Sequence, residues 1–243
     1  MILKTVTITG ADDQTDINEM IAISKEFPFI EWGILFSKSK SGNTPRYPSE
    51  SWVIKLLKAG LQHNMNFSAH LCGEFAKDAI EGADMDSDTY LDVIPPYSGR
   101  FNRFQLNFNA KYIKPDLDTF QFVYEHKSCI LQYNQTNEEL CNEIIKKGNC
   151  NVHFLYDGSG GRGTSPKSWK PTIEGYYTGY AGGLNPDNLM DELNNIYSKL
   201  NVDDVVWIDA ETGIRTDDVL DMKKVRKFLT TAKKFQTLHQ YEN

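Results

Sequence analysis

Eight short apolar runs recur along the chain, at residues 5–9, 31–36, 66–71, 101–108, 128–133, 152–156, 177–181 and 205–209. Most lack polar alternation, which predicts parallel strands covered on both faces. Helical spacing fills the intervals. A helix over 16–25 places Ile17, Met20, Ile21 and Ser24 on one face, and Ser49 caps a helix carrying Trp52, Val53, Leu56 and Leu57, with Gly60 at its exit. Thr136 and Glu139 have capping-box spacing ahead of Leu140, Ile144 and Ile145, and Gly148 supplies the stop. Asn185 and Pro186 read as the N-cap and first position of a helix over 187–197. A closing helix over 222–235 carries Met222, Val225, Phe228, Leu229 and Ala232, and the tail from Thr237 is expected to fray. The units after the third and sixth strands are weaker: the first is acidic, and Pro166 and Pro171 leave room for only a short helix in the second. Eight strand–helix units without a linker predict a closed (βα)8 TIM barrel of the α/β class, spanning 1–243 as a single domain.

Composition narrows the function classes. The chain has 243 residues, 40% of them hydrophobic, and a formal charge of -7. No clustered basic face is visible, which argues against nucleic acid or an anionic membrane as partner. No apolar run reaches the length of a membrane span, and residues 1–6 enter a strand pattern without a leader signature, so a cytoplasmic location is expected. Cys72, Cys129, Cys141 and Cys150 lack zinc or redox spacing, and buried free thiols are the default reading for all but Cys72.

In the last third, three strands in succession stop at glycine or a small polar residue. They are the strand ending at Asp157 with the turn 158–163, Tyr180-Ala181-Gly182-Gly183-Leu184-Asn185-Pro186, and Trp207-Ile208-Asp209-Ala210-Glu211-Thr212-Gly213. Such ends present backbone amides to a ligand at the C-terminal mouth of a barrel. Residues 158–163 also fit GxGxxG, but the turn leads into Pro166 and Pro171 instead of a long helix, so a dinucleotide site is disfavoured and no cofactor is expected.

Six segments, in order, resemble the phosphoribosylanthranilate isomerases of tryptophan biosynthesis. They are Thr7-Ile8-Thr9-Gly10, Thr44-Pro45-Arg46-Tyr47, Gln105-Leu106-Asn107, Leu155-Tyr156-Asp157 with Gly160-Gly161-Arg162-Gly163, Ala181 through Asn188, and Asp209 through Arg215. The resemblance implies that Asp157 is the general acid of an Amadori-type rearrangement. It also implies that Arg46 meets an aromatic carboxylate and that amides of Gly160, Gly161, Gly163, Gly182, Gly183 and Gly213 bind phosphate. Two positions depart from the family pattern. Thr9 stands where the family has its catalytic cysteine, and a threonine hydroxyl does not take up a proton near neutral pH. Glu211 replaces a serine of the phosphate-contacting turn.

The residues offer a replacement base. His70 and Cys72 lie two apart on one strand and so share a face, where a histidine beside a thiol would lower the thiol pKa. Alternatively, His70 is a hydrogen-bonded core histidine and Cys72 a small buried hydrophobe. Polar residues at strand ends, among them Glu31, Gln105, Asn107, Gln132, Asp209 and Glu211, favour a hydroxyl-rich ligand over a purely structural barrel. Glu31, Asp157, Asp209 and Glu211 are also a carboxylate set of the kind that holds a divalent cation, although no metal is expected. Trp169 is expected to pack.

Three functions remain open on the sequence. The first is an isomerase-type enzyme acting by acid–base chemistry on a sugar or sugar phosphate. The second is a non-catalytic barrel that binds a phosphorylated sugar or nucleotide, and the third is an authentic phosphoribosylanthranilate isomerase. Each takes a small-molecule ligand, on a monomer or homodimer.

Overall fold

The computed structural model describes residues 1–81, 100–113, 128–148, 151–157 and 163–240. Eight parallel strands close into a barrel in chain order: β1 (Ile2–Thr9), β2 (Ile30–Phe36), β3 (Phe67–Cys72), β4 (Phe101–Asn107), β5 (Ser128–Tyr133), β6 (Val152–Asp157), β7 (Thr178–Ala181) and β8 (Val205–Ala210). β8 closes the ring on β1 with Thr7 opposite Asp209 and Ile8 opposite Ala210. All eight expected strands are present, most with their ends moved by one to three residues.

Helices α1 (Ile17–Glu26), α2 (Glu50–His63), α3 (Glu74–Glu81), α4 (Glu138–Lys147), α5 (Leu189–Tyr197) and α6 (Met222–Gln240) are the α-helices among the described residues. Their apolar faces cover the outward side of the strands, as Trp32 under α1 shows: its Nε1 donates to Ser24 Oγ at 2.9 Å. β4 is followed by a 3₁₀ turn (Ala110–Tyr112), and residues 163–177 before β7 are irregular. The eight helical segments expected are therefore six among the described residues.

Local expectations fail where tertiary contacts claim the residues. Gly60 lies inside α2, which ends at Asn64 in the left-handed conformation; Gly60 is needed because a Cβ there would lie 2.3 Å from the Phe67 ring. The Thr136–Glu139 capping box does not form. Helix α4 starts after Asn137, whose Nδ2 instead donates to the carbonyls of Phe108 and Gln132, both at 3.1 Å, tying the ends of β4 and β5. Asn185 does cap, accepting from the amides of Asp187 and Asn188, but a turn at 186–188 delays the regular helix until Leu189. The tail from Thr237 stays helical to Gln240, where Gln236 anchors α6 to the carbonyl of Leu3.

The barrel interior is built from alternate strand residues. Its apolar cluster is small: Ile130, Leu155, Ala181 and Trp207, with Tyr177 against it. Trp207 is fully buried, and Gly179 makes room for it, because a Cβ at 179 would lie 2.2 Å from the indole. The ring is wedged among neighbours with nowhere to move, so Gly179→Ala is expected to cost on the order of 2–3 kcal/mol by overpacking, read as a lower urea midpoint at unchanged slope.

Candidate active site

Below the mouth the interior is polar. Arg103 of β4 reaches across to Glu31 of β2, with Nη2 to Oε1 at 2.6 Å and Nε to Oε2 at 3.0 Å, and Thr7 donates to the same carboxylate at 3.0 Å. The guanidinium stacks over Trp207, 4.4 Å from the ring centre. Desolvation is the largest influence on Glu31 and acts to raise its pKa, but the Arg103 charge and hydrogen bonds hold it below the usual carboxylate value. Sequence reasoning missed Arg103, although it lies two and four residues before Gln105 and Asn107 and thus on the same face of β4.

Above this layer a cavity of about 720 Å³ opens at the C-terminal ends of the strands. That volume suits a small-molecule ligand. Its walls include Arg46, His70, Cys72, Gln105, Asn107, Asp157, Gly163, Gly182, Gly183, Asp209, Glu211 and Gly213. The fold thus gathers most of the expected site residues. Glu31 instead lies beneath the cavity in the ion pair with Arg103, and Gly160 and Gly161 fall outside the described residues.

His70 and Cys72 share the inward face of β3 as expected but do not form a pair. His70 Nε2 is 3.0 Å from Ser68 Oγ, and the ring fills space left by Gly33, where a Cβ would lie 2.8 Å from it. Burial above all, aided by the Arg103 charge and opposed by that of Glu31, pushes His70 down to about 4, so it is neutral at physiological pH. Cys72 Sγ accepts from Asn107 Nδ2 at 3.2 Å and shares a hydrogen bond with Tyr47, yet burial raises its pKa above the ordinary thiol value. The expected lowering of the thiol pKa is therefore reversed: no imidazolium stands beside the thiol, and desolvation dominates.

Arg46 lines the cavity but is already engaged by the protein. Its Nη1 donates to Glu211 at 2.7 Å, Nη2 lies 2.7 Å from Asp218, and its backbone amide donates to Asp12 at 2.7 Å. The residue is held at φ 76, a left-handed conformation costly for a non-glycine residue and sustained by these contacts. Arg215 continues the network, donating to the Gly10 carbonyl at 2.5 Å and lying 3.4 Å from Asp12. The loops after β1, β2 and β8 are thereby joined, and Glu211 directs its charge to Arg46.

Beside this network, at the exits of β7 and β8, three glycines leave their amides open. The N–H groups of Gly182, Gly183 and Gly213 have no acceptor among the described residues. Only glycine fits there: a Cβ on Gly183 would lie 2.3 Å from the Ser165 nitrogen, and one on Gly213 2.2 Å from the Leu184 carbonyl oxygen. Between these amides and β1 stands Asp209, buried at 7% exposure, with Oδ1 accepting from Thr9 Oγ1 at 2.8 Å. Burial, with help from the negative charges of Glu211, Glu31 and Asp157 and against the Thr9 hydrogen bond, pushes Asp209 up to about 8. Asp157 is also buried and receives Gln132 Nε2 at 3.3 Å. Among the described residues no group of three His, Cys, Asp or Glu side chains gathers in metal-binding geometry, because Glu31 is bound to Arg103 and Glu211 to Arg46. Trp169 packs on Tyr180 with its Nε1 donating to Glu192 at 2.7 Å. No helix among the described residues is long and apolar enough to cross a membrane.

The same architecture occurs in solved structures. Phosphoribosyl anthranilate isomerase from Thermotoga maritima superposes with a TM-score of 0.59 over 96% of this chain and 100% of that one, at 16% identity. The chain is a (βα)8 barrel similar to phosphoribosylanthranilate isomerase. The Pyrococcus furiosus isomerase gives a TM-score of 0.52 at 15% identity, over 95% of this chain and 98% of that one. A truncated 3-deoxy-D-arabino-heptulosonate 7-phosphate synthase from Thermotoga maritima gives 0.57 at 12% identity, over 98% and 88%. No protein-family model matches the sequence, and no curated protein does. At these identities the likeness establishes the fold and leaves the chemistry to the residues.

Two expectations follow from the buried charges. Arg103→Met strands the Glu31 carboxylate and is expected to cost about 3–5 kcal/mol, whereas the double variant Arg103→Met/Glu31→Leu recovers most of that loss in chemical denaturation. Asp209 keeps its proton to a higher pH folded than unfolded, so its contribution is fully present below about 4 and is lost as pH rises through about 8. Asp209→Asn should therefore leave stability nearly unchanged at pH 4 and raise it by roughly 2 kcal/mol or more at pH 9, measured by urea unfolding.

Proposed function

We propose that this barrel is an isomerase-type enzyme that works by acid–base chemistry on a phosphorylated sugar. The observation that carries the reading is the arrangement of the mouth. Open glycine amides at Gly182, Gly183 and Gly213 stand on one wall, and the carboxyls of Asp157 and Asp209 face the same cavity. Backbone amides in a concave turn suit a phosphate, and two buried carboxyls suit proton transfer at the sugar's reacting carbons. Gln105 adds a buried Oε1 without a hydrogen-bond partner among the described residues, an acceptor for a sugar hydroxyl.

Authentic phosphoribosylanthranilate isomerase is the weaker form of this reading. Thr9 occupies the position of the base, and Arg46, the expected receiver of the aromatic carboxylate, is paired with Glu211 and Asp218. A non-catalytic barrel that binds a phosphorylated ligand is favoured by one observation: neither His70 nor Cys72 is poised as a base, the first neutral and bonded to Ser68, the second raised by burial.

The test is turnover of N-(5′-phosphoribosyl)anthranilate, followed by loss of its fluorescence, and of ribose 5-phosphate, followed by deuterium exchange at C2. Wild type is compared with Asp157→Asn. Turnover of one of them that falls at least about 100-fold in Asp157→Asn, with folding intact, supports the enzyme reading. Activity retained in that variant sinks the role of Asp157. Stabilisation by ribose 5-phosphate, with the sugar recovered unaltered and no exchange, selects the binding protein.

A further inference from the structure

Glu31, Glu211 and Asp209 differ in what they are matched to. Glu31 has Arg103 at 2.6 Å and Glu211 has Arg46 at 2.7 Å, whereas the hydrogen bond made by Asp209 is to a hydroxyl, Thr9 Oγ1 at 2.8 Å. The polar and charged groups that share the interior or the cavity with Asp209 are Thr7 and Thr9 from β1, Glu31 from β2, Lys40 and Arg46 from the loop after β2, His70 from β3, Arg103 from β4, Gln132 from β5 and Asp157 from β6, with Glu211 on its own strand's exit. Of the cations, Arg103 is bound bidentately to Glu31, Arg46 is paired with Glu211 and Asp218, and Lys40 lies over the Tyr47 ring. Among the described residues no cation lies within ion-pair distance of Asp209, so the neutral carboxylic acid is the form these surroundings accept.

The geometry also sorts the two oxygens. Thr9 fixes Oδ1, while Oδ2 has no hydrogen bond among the described residues and belongs to a side chain on the cavity wall. In the sheet register Asp157 is opposite Ala181 and Ala181 is opposite Asp209, so the two carboxyls flank one small residue. Strands about 4.8 Å apart put their Cα atoms roughly 10 Å from each other, enough to hold two adjacent sugar carbons between the side chains.

We infer that Asp209 is the proton donor of this site, oriented by the Thr9 hydroxyl, and that Asp157 is the group that takes the carbon-bound proton. The assignment rests on the isomerase reading and reverses the role that resemblance gives to Asp157. For an open-chain aldose phosphate, the Asp157 carboxylate removes the C2 proton and the C–H electron pair becomes the C1=C2 bond. The C1 carbonyl π pair moves to oxygen, which takes the proton of Asp209. In the second half, the enediol O2–H proton returns to Asp209, C2=O forms, and the C1=C2 pair takes the proton of Asp157 at C1. Both residues end as they began, and no co-reactant is consumed. Thr9 is thus a positioning residue and Asp209 a catalytic one.

The test is a ¹³C NMR titration of the aspartate carboxyls, with the Asp209 signal assigned by its loss in Asp209→Asn. Kinetics on ribose 5-phosphate and N-(5′-phosphoribosyl)anthranilate accompany it. The expected results are an Asp209 signal that titrates above pH 7 and a kcat at least about 100-fold lower in Asp209→Asn at similar KM, with the alkaline fall of the wild-type rate abolished. Thr9→Val, which keeps the shape and drops the hydroxyl, should move that alkaline limb upward. Titration of Asp209 below pH 5, or a wild-type rate in Asp209→Asn while Asp157→Asn is inactive, overturns the assignment and leaves the enzyme reading standing. Failure of folded wild type to turn over either probe overturns both.

Discussion

Inside this barrel a fully buried arginine lies against a buried glutamate, where closed (βα)8 barrels more often stack branched aliphatic side chains. A charge pair in such a place is tolerated only when its geometry is fixed from several sides, since either ion alone is far from water. Here β1 contributes Thr7 to the carboxylate, β8 contributes the indole of Trp207 beneath the guanidinium, and Gly179 clears the volume the indole occupies. The packing of one end of the barrel is thus organised around Arg103, whose Nη1 still has no hydrogen-bond partner among the described residues. The same charges reach upward, because the Arg103 charge adds to burial in keeping His70 neutral while that of Glu31 adds to burial in keeping Asp209 protonated.

The mouth shows a division of labour that follows from this floor. Glu211, a negative charge on the turn that also bears Gly213, is paired with Arg46, which offsets that charge beside the open amides. The cost is that Arg46 is spent on holding loops together and is not free for a ligand carboxylate. At the end of β1 the Thr9 hydroxyl serves a neighbouring carboxyl, on β8.

The strands were legible because parallel strands covered on both faces are continuous apolar runs, and β1 through β8 appear where those runs lie. Local capping signals were less dependable. Asn137 and Gly60 carry cap-like chemistry, but the ladder ends at Phe108 and Gln132 claim the first and the Phe67 ring claims the second. Among the residues that line the cavity, Asp157, Asp209, Gln105, Gly182, Gly183 and Gly213 were readable from position at a strand end. The engagement of Arg46 was not, because its partners Glu211 and Asp218 are 165 and 172 residues away.

The sequence by itself determined the barrel, its order of strands and the rim where polar and glycine strand ends gather, since periodicity, glycine and chain order are local properties that survive translation into structure. Only the tertiary structure decided which polar groups answer to one another. The pairing of Arg103 with Glu31, the isolation of His70 from Cys72 and the neutral state of Asp209 depend on burial and on charges brought from distant strands. Electrostatic energy inside a low-dielectric barrel is set by distance in space, and distance in space is what a linear pattern does not contain.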